Sequence, residues 1–215
     1  YYEEGFPGEL SMTVMYSLTE DNELKIDYKG TTNKKTIVNM TSHGFFSLAG
    51  IANPTPTCED VICQINADFY VPIDENSIPT GEIRSVKGTP FDFTTPHPVG
   101  DHLTDFSNEQ IKNGAGYDHC FVIDRARGSS QSICAWVTSE KTGISMKLYT
   151  TQPGIQLYTG NFLQDCPAPG KGGQPLRKYG GFALETQHYP CSPSHPEFPS
   201  TVLRAGKVFR ATTTL

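Results

Sequence analysis

The sequence predicts an antiparallel all-β fold, a large sandwich occupying residues 1–215 as a single domain. Three observations carry that expectation. Apolar residues recur at every second position in many short runs, the period of a half-buried strand. The runs are punctuated by turn residues, with 20 Gly and 16 Pro dispersed among them and not gathered into a linker. Only one short segment carries helix signals, and no internal repeat divides the chain.

The elements follow in order. Leu10, Met12, Val14, Tyr16 and Leu18 share one face of a first strand, and Leu24, Ile26 and Tyr28 repeat the alternation. The turn-rich Glu20-Asp21-Asn22-Glu23 between them makes the pair a β-hairpin. Residues 36–40 form a strand that runs into Thr41-Ser42-His43-Gly44-Phe45-Phe46-Ser47-Leu48, where a His stands among small polar residues before two aromatics. Asn39-Met40-Thr41 fits the N-glycosylation triplet, but a strand end is a poor place for a glycan and the triplet is discounted. Residues 65–95 are strand-poor, with the composition of long, aromatic-packed connections that build clefts. Residues 107–112 read as a short helix with Ser107 as N-cap and Gln110 as capping-box partner, stopped by Gly114-Ala115-Gly116.

The strand over residues 117–123 sends Asp118, Cys120 and Val122 to one face. Residues 132–138 and 144–151 pair as a hairpin around Lys141-Thr142-Gly143, and residues 154–159 place Gln156 and Tyr158 on one side. A Gly/Pro/Lys loop covers residues 164–181; its Gly170-Lys171-Gly172-Gly173 lacks the spacing of a phosphate loop. In the strand Gly181-Phe182-Ala183-Leu184-Glu185-Thr186-Gln187, Phe182 and Leu184 face one way, Ala183 and Glu185 the other. A rigid exposed turn over residues 190–196 precedes closing strands at residues 201–203 and 208–210.

Charge and cysteine usage narrow the function. The net charge is −6 and no Lys/Arg cluster exceeds two adjacent residues, which argues against nucleic acid as a partner. No apolar run approaches membrane-spanning length. The start, Tyr-Tyr-Glu-Glu-Gly, is acidic, carries no signal-peptide pattern and lacks an initiator Met, so the chain is expected to be processed or part of something longer. Six cysteines, at 58, 63, 120, 134, 166 and 191, include no C-x-x-C pair, so a zinc site is not expected. Reduced thiols and a cytoplasmic location are the expectation; paired cysteines would instead mark a secreted protein.

Glu185 stands in an otherwise apolar run, as a satisfied structural carboxylate or a base awaiting a proton. His43, Asp118 and Gln156 are further polar positions where strands would line a cleft. Together the four make a hydrogen-bonding set of the kind a sugar needs, with no metal, nucleotide or lipid signature beside them.

Several strings, in order, resemble the aldose 1-epimerase (galactose mutarotase) family. Asn39-Met40-Thr41-Ser42-His43-Gly44-Phe45-Phe46-Ser47-Leu48 is similar to that family's Asn-Leu-Thr-Asn-His-Ser-Tyr-Phe-Asn-Leu segment. Ile78-Pro79-Thr80-Gly81-Glu82, Gly88-Thr89-Pro90-Phe91-Asp92-Phe93, Gly116-Tyr117-Asp118-His119, Tyr158-Thr159-Gly160-Asn161-Phe162-Leu163, residues 181–187 and Phe198-Pro199-Ser200 follow in family order. The resemblance covers essentially the whole chain and corresponds to the family's carboxyl-terminal two thirds. It implies an antiparallel β-supersandwich lacking its N-terminal strands, with an exposed edge. It implies interconversion of the α and β anomers of free aldohexoses such as glucose and galactose, without a cofactor. By motif, Glu185 is the base on the anomeric hydroxyl and His43 the acid on the ring oxygen, while Asp118, Gln156, Gly44 and Phe45 contact the sugar.

The departures bear on the same site. No residue matches the family's early Arg and second His, which the N-terminal portion or a second chain would have to provide. Ser42, Gly44 and Phe45 replace the family's Asn, Ser and Tyr, and Pro190-Cys191-Ser192-Pro193-Ser194 replaces Pro-Asp-Ala-x-Asn. The alternative reading is a paralogue without efficient catalysis, acting as a carbohydrate-binding or structural protein. A sugar-phosphate mutarotase would need a basic phosphate pocket, and the motifs favour the free-sugar branch.

Overall fold

The computed structural model describes residues 3–50, 56–125 and 131–215; Tyr1 and Tyr2 of the acidic N-terminal stretch lie outside them. Its strands are β1 (Leu10–Leu18), β2 (Leu24–Thr32), β3 (Thr36–Ile37), β4 (Phe45–Phe46) and β5 (Ile62–Ile65). Next come β6 (Phe69–Val71), β7 (Arg84–Ser85), β8 (His97–Pro98), the helix α1 (Glu109–Gly114), β9 (Asp118–Val122) and β10 (Ser132–Thr138). The chain ends with β11 (Ser145–Thr150), β12 (Gly154–Tyr158), β13 (Phe182–Gln187), β14 (Val202–Leu203) and β15 (Val208–Thr214).

Two antiparallel sheets dominate. One has seven strands in the order β1-β2-β15-β11-β10-β5-β8, the other six in the order β4-β13-β12-β9-β6-β7. A small third sheet pairs β14 with β3. The main core lies between the two large sheets. Cys63 and Ile65 of β5, Cys134 and Val137 of β10 and Leu148 of β11 face Phe121 of β9, Ile155 and Leu157 of β12, and Phe182 and Leu184 of β13. Because side chains alternate along a strand, the residues next to these core residues along each strand of the six-stranded sheet must face outward. That alternation is what creates the outer face on which the polar residues sit.

The first hairpin forms as the alternation predicts, in unbroken register from Leu10↔Thr32 to Leu18↔Leu24. Its two strands meet different surroundings. Ile26 and Tyr28 of β2 are buried beside Ala211, whereas Val14, Tyr16 and Leu18 of β1 are 38%, 59% and 79% exposed. β1 is an edge strand, so among the described residues only β2 adjoins it.

Two local expectations are corrected. The strand over residues 36–40 shrinks to β3, because only Thr36 and Ile37 find partners in β14. Beyond it Asn39 leaves the ladder, its amide oxygen accepting from His188 N at 2.9 Å and its nitrogen donating to His188 O at 3.0 Å. Residues 65–95 are strand-poor as expected; beyond the end of β5 they hold only β6 and β7, strands too short for alternation to show. The helix begins two residues later than expected and its cap is Asn108, whose Oδ1 accepts from the backbone N–H groups of Gln110 and Ile111 at 3.0 and 3.2 Å. Ser107 instead donates its hydroxyl to Asp105 at 2.6 Å. Gln110 is no capping-box partner; its buried amide accepts from Ile73 N and donates to Ile73 O. At the other end Ala115 adopts the left-handed conformation (φ 54°) that stops the helix.

The cap assignment is testable by thermal unfolding. Asn108→Ala removes the side-chain acceptor and should cost about 1 kcal/mol, seen as about 2–4 °C in Tm. Ser107→Ala should stay within about 0.5 kcal/mol of the parent, since it loses only a surface contact.

Candidate active site

Residues directly opposite each other in an antiparallel ladder lie on the same face. Gln156 of β12 stands opposite Glu185 of β13 on one side and Cys120 of β9 on the other. Tyr158 likewise stands opposite Ala183 and Asp118, and Ala183 opposite Phe45 of β4. Two rungs result on the outer face: Cys120–Gln156–Glu185, and Asp118–Tyr158–Ala183–Phe45. Four strands far apart in sequence thus converge, and His43 joins from the segment two residues before β4.

The side chains fall into two coupled pairs. His43 Nε2 lies 3.4 Å from Glu185 Oε1, with the histidine side chain 51% exposed and the glutamate 10%. Gln156 Nε2 donates to Asp118 Oδ1 at 2.8 Å. The other amide atom, Gln156 Oε1, is buried and has no protein partner among the described residues. Phe45 presents a half-exposed ring, while Gly44 is exposed with open space where a Cβ would stand. All six residues expected from sequence, Glu185, His43, Asp118, Gln156, Gly44 and Phe45, therefore lie in or beside one surface patch.

Burial dominates the electrostatics. It raises the Glu185 pKa above the ordinary carboxylate value, and the nearby Asp118 charge pushes the same way against the opposing pull of His43. Asp118 is also raised by burial, with the Gln156 hydrogen bond and the His43 charge opposing. The patch is thus a protein environment that disfavours two adjacent ionised carboxyls unless a cation or hydrogen-bond donors enter.

Two supporting residues were not singled out in the sequence. His119 is fully buried behind Asp118, and burial lowers its pKa to about 3, so it is neutral. Its Nδ1 accepts from the Asp118 backbone N–H at 3.1 Å, which leaves the proton on Nε2, 3.3 Å from Gln110 Oε1. Phe91 packs edge-on against the ring at 4.5 Å. The histidine thereby ties α1 to β9 and fixes the backbone carrying Asp118. Its sequence signals were alternation, which sends it coreward, and its place in the family-like string Gly116-Tyr117-Asp118-His119. Tyr158 is the second residue; its signals were that it shares the side of Gln156 and opens the family-like string over residues 158–163.

An imidazole and a carboxyl a few ångströms apart, beside a second hydrogen-bonding pair, can exchange protons with two neighbouring atoms of one polar ligand. Among the described residues no group of three or more His, Cys, Asp or Glu is placed to hold a metal ion.

Comparison with known proteins points the same way. The family model described as aldose 1-epimerase matches residues 2–215. Galactose mutarotase of Homo sapiens is 43% identical over 212 residues, covering 98% of this chain and 58% of its own length. Aldose 1-epimerase of Escherichia coli K12 is 39% identical over 214 residues, covering 98% and 59%. Among solved structures, an aldose epimerase homologue from C. elegans superposes with a TM-score of 0.86 at 27% identity, covering 98% of this chain and 60% of that one. A galactose 1-epimerase from Lactobacillus acidophilus gives 0.79 at 27% identity, covering 98% and 57%. The chain thus spans less than two thirds of the length of these relatives. A match over nearly every residue, on a sandwich of the same shape, shows that the chain belongs to the aldose 1-epimerase family.

Proposed function

We propose that this chain carries the acid–base centre for interconverting the α and β anomers of free aldohexoses such as glucose and galactose. The observation that carries the reading is the His43–Glu185 pair at 3.4 Å with the Gln156–Asp118 pair beside it. Glu185, as carboxylate, takes the proton of the anomeric hydroxyl. His43, as imidazolium, gives a proton to the ring oxygen as the C1–O5 bond breaks. The open-chain aldehyde rotates about C1–C2, and the steps reverse with the roles exchanged, returning both protons. Every step is a proton transfer, a bond cleavage or formation within the sugar, or a rotation, so the scheme calls for no cofactor.

The strand order supports one orientation of the sugar. His43 lies on the β4 side of Glu185, and Gln156 and Asp118 on the other. In a pyranose, C1 lies between O5 and C2. Directing O5 to His43 therefore turns the C2 side toward Gln156 and Asp118, where hydroxyl donors meet carboxylate acceptors. Phe45 offers its half-exposed ring to the apolar face of the sugar, and the open position at Gly44 leaves room for it. The buried thiols of Cys58, Cys63, Cys120 and Cys134, with pKa raised by burial, fit the reducing cytoplasm. The early Arg and second His of the family pattern would come from an N-terminal portion or from a second chain.

Polarimetry on freshly dissolved α-D-glucose or α-D-galactose is the direct test. The purified protein should accelerate mutarotation, and a rate equal to buffer overturns the catalytic reading; saturable sugar binding without acceleration would put a carbohydrate-binding role in its place. Glu185→Gln should lower kcat by about 10²–10⁴-fold, and an unchanged rate would remove Glu185 from the base role.

The pH profile follows from burial. Glu185 works ionised, and its pKa is raised above the ordinary value of about 4.3. The acid limb of kcat/KM should therefore lie above that value, with activity falling as pH drops through it.

The same shift bears on stability. A carboxyl whose folded pKa is raised stabilises the fold below its unfolded pKa and loses that contribution as pH rises through the folded value. At neutral pH the ionised Glu185 is therefore a burden on the fold. Glu185→Gln should raise Tm there, and the gain should shrink toward zero as pH falls below the ordinary carboxylate range.

A further inference from the structure

We propose that Tyr158 is a positioning residue for His43, holding the imidazole against Phe45 over the small side chain of Ala183 so that Nε2 is aimed at Glu185. The inference rests on the acid role of His43 stated above.

The geometry begins with the rung Tyr158–Ala183–Phe45, in which a methyl group stands between two rings on the outer face. The ring centroids of His43, Phe45 and Tyr158 form a nearly equilateral triangle. The sides are 5.2 Å for His43–Phe45, 6.0 Å for His43–Tyr158 and 5.8 Å for Phe45–Tyr158. His43 meets Tyr158 nearly edge-on, at 79°, an arrangement aromatic rings prefer. Ala183, though on the outer face, is 0% exposed, so the surrounding rings close over it. A larger residue at 183 would fill the space between the two rings.

His43 needs such support. It lies outside the strands, half exposed. Among the described residues its ring nitrogens have no polar contact closer than the 3.4 Å approach to Glu185. A histidine in that situation has two freely rotating side-chain torsions, and an acid must be oriented to work. Tyr158 is itself well anchored. Its backbone is in the ladder between β13 and β9, and its hydroxyl accepts from the Phe162 N–H at 3.3 Å. The ring, rather than the hydroxyl, is therefore what His43 packs against.

The test uses Tyr158→Phe, Tyr158→Leu and Phe45→Leu, with His43 ring resonances assigned by their loss in His43→Ala. In the Phe variant the His43 resonances and kcat should both match the parent. In Tyr158→Leu the His43 ring should lose its aromatic ring-current shift, with kcat reduced about two- to tenfold and KM little changed. If Tyr158→Leu does not fold, the exposed Phe45→Leu gives the same NMR readout from the opposite wall. Unchanged His43 resonances or an unchanged kcat in Tyr158→Leu overturn the proposal, as does an equal loss in the Phe variant, which would shift the role to the hydroxyl. The NMR arm reads His43 directly. If the parent shows no mutarotation while the resonances still respond, the functional reading fails and the positioning contact stands.

Discussion

The register of β12 between β13 and β9 is the constraint on which the site depends. It places Gln156 opposite both Glu185 and Cys120, and Tyr158 opposite both Ala183 and Asp118. A slip of one residue in β13 would turn Glu185 into the core and Leu184 out to water. What prevents the slip is the opposite face. Phe182, Leu184, Ile155, Leu157 and Phe121 are buried in the main core, and exposing such a set would cost about 1.5–3 kcal/mol for each large side chain. Hydrophobic burial on one face thus specifies the chemistry on the other.

That division explains how the polar face tolerates its own costs. Burial raises both Glu185 and Asp118, so neither is in its most comfortable charge state at neutral pH. Glu185 is compensated by His43, and Asp118 by the Gln156 hydrogen bond together with the His43 charge. Gln156 Oε1 is left without a partner among the described residues. A site assembled this way is stabilised when hydrogen-bond donors reach its carboxyls and its free amide oxygen. The neutral His119 behind Asp118 belongs to the same economy, since its buried ring satisfies a backbone donor and keeps β9 tied to α1 without adding charge.

The periphery follows a different logic. β1 shares the alternation of β2, but burial ends at β2 because β1 adjoins only one strand among the described residues. Alternation therefore reports which residues share a face, while exposure is decided by what covers that face. The same distinction separates β13, whose mixed outer face is enclosed by aromatic rings, from β1, whose apolar positions share the face of Ile26 and Tyr28 yet stay open.

Much of this was legible in the chain. The strands over β1, β2, β9, β10, β11, β12 and β13 follow from period-two patterning and turn residues, because each is long enough for alternation to show. The faces of Glu185, Gln156 and Asp118 follow from the same arithmetic, and ordered motifs over the whole length pointed to the family. The two-residue strands, the Asn108 cap and the internal use of Asn39 and Gln110 were not legible, since a long-range partner chooses them over local propensity. His119 and Tyr158 also needed the fold. Sequence periodicity assigns a residue to a face, but the distance from His43 to Glu185, and the rings that enclose His43, come from the pairing of strands some 140 positions apart. Local chemistry determined the strands and their faces; tertiary pairing alone decided which faces meet.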